Sequence, residues 1–538
     1  MSQFARRPDA NRQETALDTS TTPVPAVDTG ALPPPPPPPW ARGAPPAAPA
    51  PAHRPAWPLR AGARIAAVLR SRRAPLGLLL LVLVVSVGAR VYHLDNPSES
   101  RPTQGFIFDE KYYVNAARVI AGVTFPSADA YNGSSPNGTD PNAEHPQGGK
   151  LIIAAGIKLF GDNPIGWRIG AVVFGTLVIV AMYWLVLCAG GSSWLALGAA
   201  TLMAFENLEL LHGRIAVLDV YTLPLMILGV GLYLKRRPVL AGIAIGVATN
   251  LKLFGAYALL VVVIYELFRL TSAGADAWGR RRGRRSQPGR GLPGDRAEAA
   301  GAAVVRDGVA VRSLPEPLLG VLRMGLCALV AALTTLVVLG ILDHFIPAYS
   351  NGRQVSTNLR PWDHLRFMYD YGRSLTSPDG PKGIASYPWQ FWFDIEAANY
   401  YTFTQFVLSG TTTTGVNTLV AYQGLVNPVL LVLALPTLAM CGYLAVRRRD
   451  TISFVVLAWV LATWLPPFLA SELDQRTTYL YYMVVILPGI CLGAARLLGS
   501  RFVPRVALGI WIGCFVAGFG ILYPFRDWGY LPAFFGLR

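Results

Sequence analysis

The chain has 538 residues, of which 52% are hydrophobic and only 14% are charged. Soluble domains carry about 25% charged residues, so this composition excludes an ordinary soluble protein and indicates a polytopic helical membrane protein. The formal net charge is +16. Because the arginines concentrate between apolar runs, the charge indicates cytoplasmic loops and not a nucleic-acid partner.

The N-terminal part of the chain combines a Pro-rich segment with the first apolar run. Residues 1–74 are rich in Pro and Ala and include seven consecutive prolines at 33–39, which predicts a disordered cytoplasmic tail. The run 76–91 follows Arg70, Arg72 and Arg73. It is long enough to span a bilayer and begins far into the chain, so it predicts an uncleaved membrane anchor instead of a signal peptide.

The predicted first outer loop, residues 95–149, contains two adjacent carboxylates, Asp109 and Glu110. Charged groups beside a bilayer are costly to desolvate and therefore mark functional sites. Two interpretations are open, because Asp109 also stands where a side chain would cap the helix predicted after it. The loop ends in His145-Pro-Gln-Gly-Gly-Lys150. The apolar run 151–160 that follows is too short to span and predicts an interfacial helix.

Ten further spans are predicted from apolar runs. They cover 164–188, 193–211, 214–234, 238–250, 253–270, 318–346, 427–446, 451–470, 478–498 and 506–524. A break at Asn250-Leu-Lys252 separates two of them. With eleven spans, every basic cluster lies on one side, the N-terminus is cytoplasmic and the C-terminus is outside.

This predicted topology divides the chain into modules. A catalytic N-terminal transmembrane module covers 75–270, an Arg-rich cytoplasmic loop covers 271–316, and a C-terminal transmembrane module covers 317–538. The last module contains an outer loop, 347–425, that is rich in aromatic residues. These aromatics are typical of an interfacial belt, and they equally suit a wall that stacks against sugar or lipid.

Polar residues recur at the predicted outer ends of the spans, which predicts one polar cavity at that membrane surface. The set is Asp109, Glu110, His145, Lys150, Arg168, Arg214, Asp219, Lys252 and Arg476. The alternative is a collection of snorkelling side chains and structural ion pairs, such as Arg214 with Asp219. Cations of this kind suit a phosphate headgroup, and a carboxylate suits a general base. With no CxxC or HExxH spacing, neither a disulfide framework, nor a metal site, nor a cofactor is predicted.

Several motifs, in this order, resemble those of the protein O-mannosyltransferases. Phe108-Asp-Glu110 resembles their Asp-Glu signature, and His145-Pro146 to Gly149-Lys150 resembles their His-Pro-Pro-Leu-Gly-Lys motif, with Gln147-Gly148 in place of Pro-Leu. Further similar segments are Phe160-Gly-Asp-Asn-Pro-Ile-Gly-Trp-Arg168, Arg214-Ile-Ala-Val-Leu-Asp219 and Leu251-Lys-Leu-Phe-Gly255. The aromatic loop has no room for the β-trefoil domain of eukaryotic members, which indicates a bacterial-type enzyme.

The resemblance implies an all-α polytopic membrane protein with the GT-C glycosyltransferase fold, about eleven transmembrane helices and interfacial helices in the outer loops. It implies transfer of mannose from a polyprenyl-phosphate-mannose donor to Ser or Thr of secreted polypeptides leaving the translocon, with inversion. Asp109 would be the base and Glu110 would position the acceptor. The residues implied to hold the donor phosphate are His145, Lys150, Arg168, Lys252 and Arg476, with Arg214 and Asp219 as possible supporting residues.

Other functions stay open at this point. The nearest is a GT-C transferase that moves a lipid-linked sugar to lipid A or another glycan. A transporter or lipid flippase would also carry charges within a helical body, although such proteins commonly show internal repeats that are not evident here. A scaffold that uses the Pro-rich tail is a third class. All of these place the protein in the plasma membrane with lipids as neighbours and without nucleic acid.

Overall fold

The computed structural model describes residues 73–97, 105–285, 304–306, 309–311, 315–355, 360–395, 398–409 and 412–523. All of them lie in one compact unit, Ala67–Arg538. The predicted tail 1–74 lies outside the described residues except for its last two positions. Part of the predicted Arg-rich loop lies outside them as well.

The described chain is dominated by helices, as predicted. Those up to the predicted Arg-rich loop are α1 (Ala74–Val91), α2 (Glu110–Ala121), α3 (Gln147–Phe160), α4 (Pro164–Cys188), α5 (Ser193–Ala204), α6 (Asn207–His212), α7 (Asp219–Leu234), α8 (Pro238–Leu251) and α9 (Tyr257–Arg285). The later ones are α10 (Glu316–Phe345), α11 (Pro361–Ser374), α12 (Pro428–Leu431), α13 (Ala434–Arg448), α14 (Thr451–Asp474), α15 (Met483–Leu498) and α16 (Arg505–Leu522). Short 3₁₀ turns cover Leu253–Ala256, Gln390–Phe393 and Leu480–Tyr482.

Eight helical segments of the described residues are long and apolar enough to cross a membrane, and three shorter apolar helices accompany them. The three shorter helices are α5, α7 and α8. Each predicted span overlaps one of these segments, so the protein is a multi-pass membrane protein. The bounds of two spans were wrong, because 193–211 is divided between α5 and α6, and the helix predicted over 214–234 begins only at Asp219. The number of crossings, eleven, stays a prediction.

The predicted break between two spans is confirmed at Lys252. Helix α8 ends at Leu251, and Lys252 adopts an extended conformation with φ −158° and ψ 142° before the 3₁₀ turn Leu253–Ala256. A Cβ at Gly255 would lie 2.3 Å from the backbone of Ala248 and Thr249. The chain therefore folds back tightly on the end of α8, which only glycine permits. Broken helices within a membrane body occur where the freed backbone lines protein or a cavity.

Local sequence signals explain where α4 begins. The Asn163 side chain accepts hydrogen bonds from the backbone N–H groups of Ile165 (3.0 Å) and Gly166 (3.1 Å). Pro164 occupies the first helical position, where its missing N–H costs nothing. Arg168 therefore lies one turn into a well-capped helix, and the cap fixes the position of its side chain along the helix axis.

The predicted aromatic outer loop contains a long antiparallel hairpin, β5 (Ala398–Ser409) with β6 (Thr412–Gly424). Two short pairs precede it, β1 (Val304–Arg306) with β2 (Val309–Val311) and β3 (Tyr349–Ser350) with β4 (Arg353–Gln354). The helical fold class is confirmed, whereas the hairpin was not predicted. Its sequence is dense in Thr, Val, Tyr and Phe, the residues that favour strands. The hairpin brings Tyr400 against the loop that carries Asp109.

Candidate active site

The loop before α2 presents Asp109 in an unusual backbone setting. Phe108 has φ +55°, a left-handed conformation that is uncommon for a non-glycine residue and often found at functional sites. Its N–H donates to the Tyr400 carbonyl at 2.9 Å, and its ring stacks on the Tyr400 ring with centroids 4.3 Å apart. The hairpin thus fixes both the backbone and the side chain of Phe108, the residue before Asp109.

Asp109 stands at the N-cap position of α2, but its side chain makes no capping hydrogen bond. Among the described residues, the partly buried carboxylate has neither a hydrogen-bond partner nor an ion-pair partner. The capping interpretation is therefore wrong for this geometry. A carboxylate held near the surface of a membrane protein without a structural partner is available for chemistry.

Burial raises the pKa of Asp109 to about 6, the nearby Lys252 and Lys111 lower it, and Asp219 raises it further. Desolvation is the largest of these effects. This upward shift of the Asp109 pKa favours general-base chemistry. A base with a pKa near 6 is still largely ionised at neutral pH and binds a proton more strongly than an ordinary carboxylate.

Asp219 and Lys252 form a buried ion pair beside Asp109. The Lys252 Nζ donates to Asp219 Oδ1 at 2.8 Å, and both side chains are less than a tenth exposed. The ammonium also lies over the rings of Phe254 (4.9 Å) and Tyr481 (5.5 Å), positions that favour a cation. The helix break that was predicted to be functional therefore places the Lys252 ammonium close enough to lower the pKa of Asp109.

The anticipated pairing of Arg214 with Asp219 is wrong. Arg214 donates to the carbonyls of Ala89 (3.2 Å) and His93 (3.2 Å) at the end of α1, and to the Tyr523 hydroxyl (3.3 Å). Five residues after Arg214, α7 begins at Asp219, whose carboxylate pairs with Lys252 instead. Arg214 therefore ties the end of α1 to the rest of the fold.

His145 and Arg476 complete the electrostatically coupled group. Burial and the neighbouring cations Lys252, Lys150 and Arg476 lower the pKa of His145 well below its usual range, so its imidazole is neutral. Arg476 is partly buried, and its buried Nη1 has no hydrogen-bond partner within the described ranges. A guanidinium N–H left without a partner in a protein interior is costly and points to an anionic ligand.

Glu110 and Arg168 are fully buried and bind each other in bidentate geometry, with both N–O distances 2.8 Å. The carboxylate also accepts from the backbone N–H groups of Ile107 and Ala216, both at 2.8 Å. The remaining Arg168 donors reach the carbonyls of Leu94, Asn96 and Gly105 at 2.9–3.1 Å. This pair joins the Asp109 loop to the segment before α7, and its geometry is that of a structural brace.

Lys150 is fully buried in a similar way. Its ammonium forms an ion pair with Asp140 and donates to the carbonyls of Asn142 and His145. These bonds fold the loop 140–145 back onto the first turn of α3. Lys150 thus orients the segment that carries His145, and its three donors are engaged within the protein.

The Gln147-Gly148 departure from the usual motif has a local explanation. Gln147 Nε2 donates to Asp343 Oδ1 at 2.7 Å and to the Ile346 carbonyl at 3.1 Å, so it links α3 to the end of α10. A Cβ at Gly148 would lie 2.5 Å from the Asn250 carbonyl oxygen. Glycine here allows the start of α3 to pack directly against the helix break at Lys252.

Two neighbours of the site were not predicted as site residues, His212 and Tyr400. The His212 Nε2 and the Tyr400 hydroxyl lie 2.8 Å apart, and His212 Nδ1 lies 3.9 Å from Asp219 Oδ2. His212 and Tyr400 are 188 positions apart in sequence, so no local pattern links them. Among the described residues, no three His, Cys, Asp or Glu side chains are grouped so as to hold a metal ion.

The structure has the GT-C fold, the fold of a class of membrane glycosyltransferases. The structure superposes on a protein O-mannosyltransferase from S. cerevisiae, in the Pmt1-Pmt2 complex bound to the sugar donor, with a TM-score of 0.56 and 12% identity. The superposition covers 84% of this chain and 90% of that one. At this identity the match establishes the fold alone.

The sequence comparisons confirm the resemblance to the protein mannosyltransferases. The family model described as dolichyl-phosphate-mannose-protein mannosyltransferase matches residues 147–283. A polyprenol-phosphate-mannose–protein mannosyltransferase of Mycolicibacterium smegmatis is 23% identical over 496 residues, 82% of this chain and 88% of the relative. The enzyme of the same name from Mycobacterium tuberculosis is 23% identical over 470 residues, covering 78% and 82%. The chain is accordingly similar in sequence to the protein mannosyltransferases and shares the fold of one of them.

Proposed function

We propose that the protein transfers mannose from a polyprenyl-phosphate-mannose donor to Ser and Thr hydroxyls of secreted polypeptides, with inversion at the anomeric carbon. The observation that carries this proposal is the setting of Asp109. It is a partly buried carboxylate with its pKa raised to about 6, electrostatically coupled to Lys252. The names of the mycobacterial relatives support the donor and the protein acceptor.

Asp109 acts as the general base. Its carboxylate takes the proton of the acceptor hydroxyl while the hydroxyl oxygen bonds to the anomeric carbon. The bond between that carbon and the phosphate oxygen breaks, and its electron pair leaves with the lipid phosphate. A single displacement of this kind inverts the anomeric configuration. Because a phosphate is a good leaving group, one base suffices, unlike glycoside hydrolysis, where an acid must protonate a poor leaving group.

The donor phosphate binds between Arg476, Lys252 and His145. Arg476 provides the buried guanidinium donor that lacks a partner in the described structure. Lys252 shares its charge between Asp219 and the phosphate, and neutral His145 donates one hydrogen bond. Charge-assisted bonds of this type strengthen as the leaving phosphate gains charge in the transition state.

The other predicted site residues act by position. Glu110 and Arg168 brace the Asp109 loop, Lys150 orients the His145 loop, and Arg214 ties α1 to the fold. Asp219 holds Lys252 in place. In this revised assignment the direct contacts with substrate come from Asp109, His145, Lys252 and Arg476.

We also propose that the site faces away from the cytoplasm. The basic clusters at 235–237 and 447–449 end α7 and α13. The opposite end of α7 carries Asp219. The excess of Lys and Arg marks the cytoplasmic side, so the active site opens on the outer face, where a secreted polypeptide emerges.

The test uses full-length protein purified in detergent, with labelled polyprenyl-phosphate-mannose and a Ser/Thr-rich peptide. Wild-type protein labels the peptide, and Asp109→Asn lowers turnover at least about 100-fold while donor binding persists. A parallel reaction offers lipid A and a glycan as acceptors. Labelling of these without the peptide would assign the enzyme to the other transferase class. Unchanged turnover in Asp109→Asn would reject Asp109 as the base.

A further inference from the structure

A cavity with a volume of about 340 Å³ lies at the C-terminal ends of α4 and α7, whereas Arg168 and Asp219 lie near the N-terminal ends of the same two helices. The lining residues that matter here are Tyr233, Leu234, Arg236, Tyr265, Glu266, Arg269 and Arg323. Asp219 and Leu234 are the two ends of α7, which at 1.5 Å per residue places the cavity about 22 Å from the Asp219–Lys252 pair. The transfer reaction does not use it.

A buried carboxylate fixes one wall of this cavity. Glu266 is 3% exposed and accepts from the Tyr233 hydroxyl at 2.7 Å and from Arg269 Nε at 3.0 Å. Because both carboxylate oxygens are engaged, Glu266 holds the Arg269 guanidinium at a defined position on the cavity wall.

An exposed carboxylate occupies the centre of an arginine cluster there. Glu316 lies 3.5 Å from Arg236 Nη1, 3.9 Å from Arg269 Nη2 and 3.2 Å from Arg323 Nη2. Its side chain is 54% exposed, so water screens these pairs and they hold it weakly. Three arginines face two carboxylates, which leaves one net positive charge. Glu316 marks the position at which an anion is favoured.

A phosphate ester suits this position better than a carboxylate does. It has more acceptor oxygens and matches the planar fork of several guanidinium groups. The cavity also has apolar and aromatic walls, formed by Leu234, Tyr233 and Tyr265, and it lies at the ends of apolar helices, at the level of lipid headgroups. Basic pockets between transmembrane helices bind anionic lipid headgroups.

We propose that this cavity binds the phosphate headgroup of an anionic membrane phospholipid, held by Arg236, Arg269 and Arg323, with Glu316 as the competing internal anion. By the charge bias of the loops, this is the cytoplasmic surface, opposite the active site. The site is independent of the sugar-transfer reaction and would exist in the absence of donor and acceptor.

The experiment uses the full-length protein in detergent and native mass spectrometry, titrated with phosphatidylglycerol, phosphatidylcholine and inorganic phosphate. The test variant is Arg236→Gln with Arg323→Gln, since both arginines contact Glu316 and neither pairs with buried Glu266. The control is Arg501→Gln with Arg505→Gln, two exposed arginines that do not line the cavity. The test variant lowers phosphatidylglycerol affinity at least about tenfold, and the control changes it less than about twofold.

A second variant predicts the opposite direction. Glu316→Gln removes the competing carboxylate and leaves the arginines in place, so it tightens phosphatidylglycerol binding about threefold to tenfold. A structural ion-pair network would show no such gain, and an unchanged or weaker affinity would overturn the proposal. Equal affinity for phosphatidylcholine would reject recognition of the anionic headgroup. Equal affinity for inorganic phosphate would reject a lipid as the ligand.

Discussion

The adjacent residues Asp109 and Glu110 have opposite roles in the structure, and matched amide substitutions separate them. Glu110→Gln removes one half of a buried bidentate pair. The carboxylate accepts four hydrogen bonds, all at 2.8 Å, from Arg168, Ile107 and Ala216. A glutamine keeps one acceptor oxygen and turns an NH₂ group toward donors that previously faced oxygen.

The magnitude follows from that geometry. Breaking a buried ion pair from one side leaves the partner charge uncompensated and costs about 3–5 kcal/mol. Arg168 keeps only its carbonyl contacts, so we expect Glu110→Gln to lower the free energy of unfolding by this amount. Lost activity would follow from the loosened loop and would scale with the unfolded fraction.

Asp109→Asn is the control at the neighbouring position. No partner among the described residues is lost, and burial already disfavours the ionised carboxylate, since it raises the pKa to about 6 from 3.8. We expect the free energy of unfolding to stay constant or to rise by at most about 3 kcal/mol, reduced by the partial exposure of the group. Turnover is nevertheless lost.

Unfolding in mixed detergent micelles with increasing dodecyl sulfate measures both variants on one scale, and peptide mannosylation measures turnover. The reasoning is refuted if Glu110→Gln is as stable as the wild type. It is equally refuted if Asp109→Asn is destabilised as strongly as Glu110→Gln, because the carboxylate would then have a structural partner.

Four further predictions concern the same site. Turnover falls about tenfold per pH unit below about pH 6, because Asp109 must be ionised. Lys252→Gln moves the inflection of the kcat/KM profile to higher pH, because Lys252 lowers the pKa of Asp109. A shift to lower pH would contradict this coupling. Ionised Asp109 destabilises the fold above pH 6, and this penalty is relieved as the pH falls from 6 towards 3.8, a trend that Asp109→Asn abolishes in unfolding titrations. Gly148→Ala lowers stability by about 1–3 kcal/mol because its Cβ would lie 2.5 Å from the Asn250 carbonyl oxygen, and Gly88→Ala, whose Cβ would meet no atom within 4 Å, is the control in the same titration. Arg476→Gln raises the KM for the donor about tenfold with unchanged unfolding, and an unchanged KM would remove Arg476 from the phosphate site.

Much of the membrane body was predictable from sequence because its signals are local. An apolar run long enough to span forms a helix in lipid, where every backbone polar group must bond internally. The break at Lys252 was predictable for a related reason. A single helix over 238–270 would have placed later basic clusters on the opposite membrane side.

The partners of the charged residues were not predictable in the same way. Arg214 and Asp219 are close in sequence but bind different groups. Arg214 donates to a carbonyl near the end of α1, whereas Asp219, the first residue of α7, accepts from Lys252 at the helix break. The unpredicted hairpin, which contributes Tyr400, has strand-forming residues. Its aromatic residues fit an interfacial belt equally well, so composition alone did not distinguish a strand from such a belt.

The sequence by itself determined the class of the protein, its helical segments and the set of polar residues from which a site could be built. Hydropathy, helix length and motif order depend on neighbours along the chain, so they can be read without coordinates. Only the tertiary structure decided which charges are braces and which are available. Glu110 and Arg168 are 58 positions apart, and their mutual burial makes them structural, while burial of Asp109 raises its pKa instead of lowering it. Desolvation and pairing are properties of the packed molecule, and they divide two adjacent carboxylates into a proposed base and a brace.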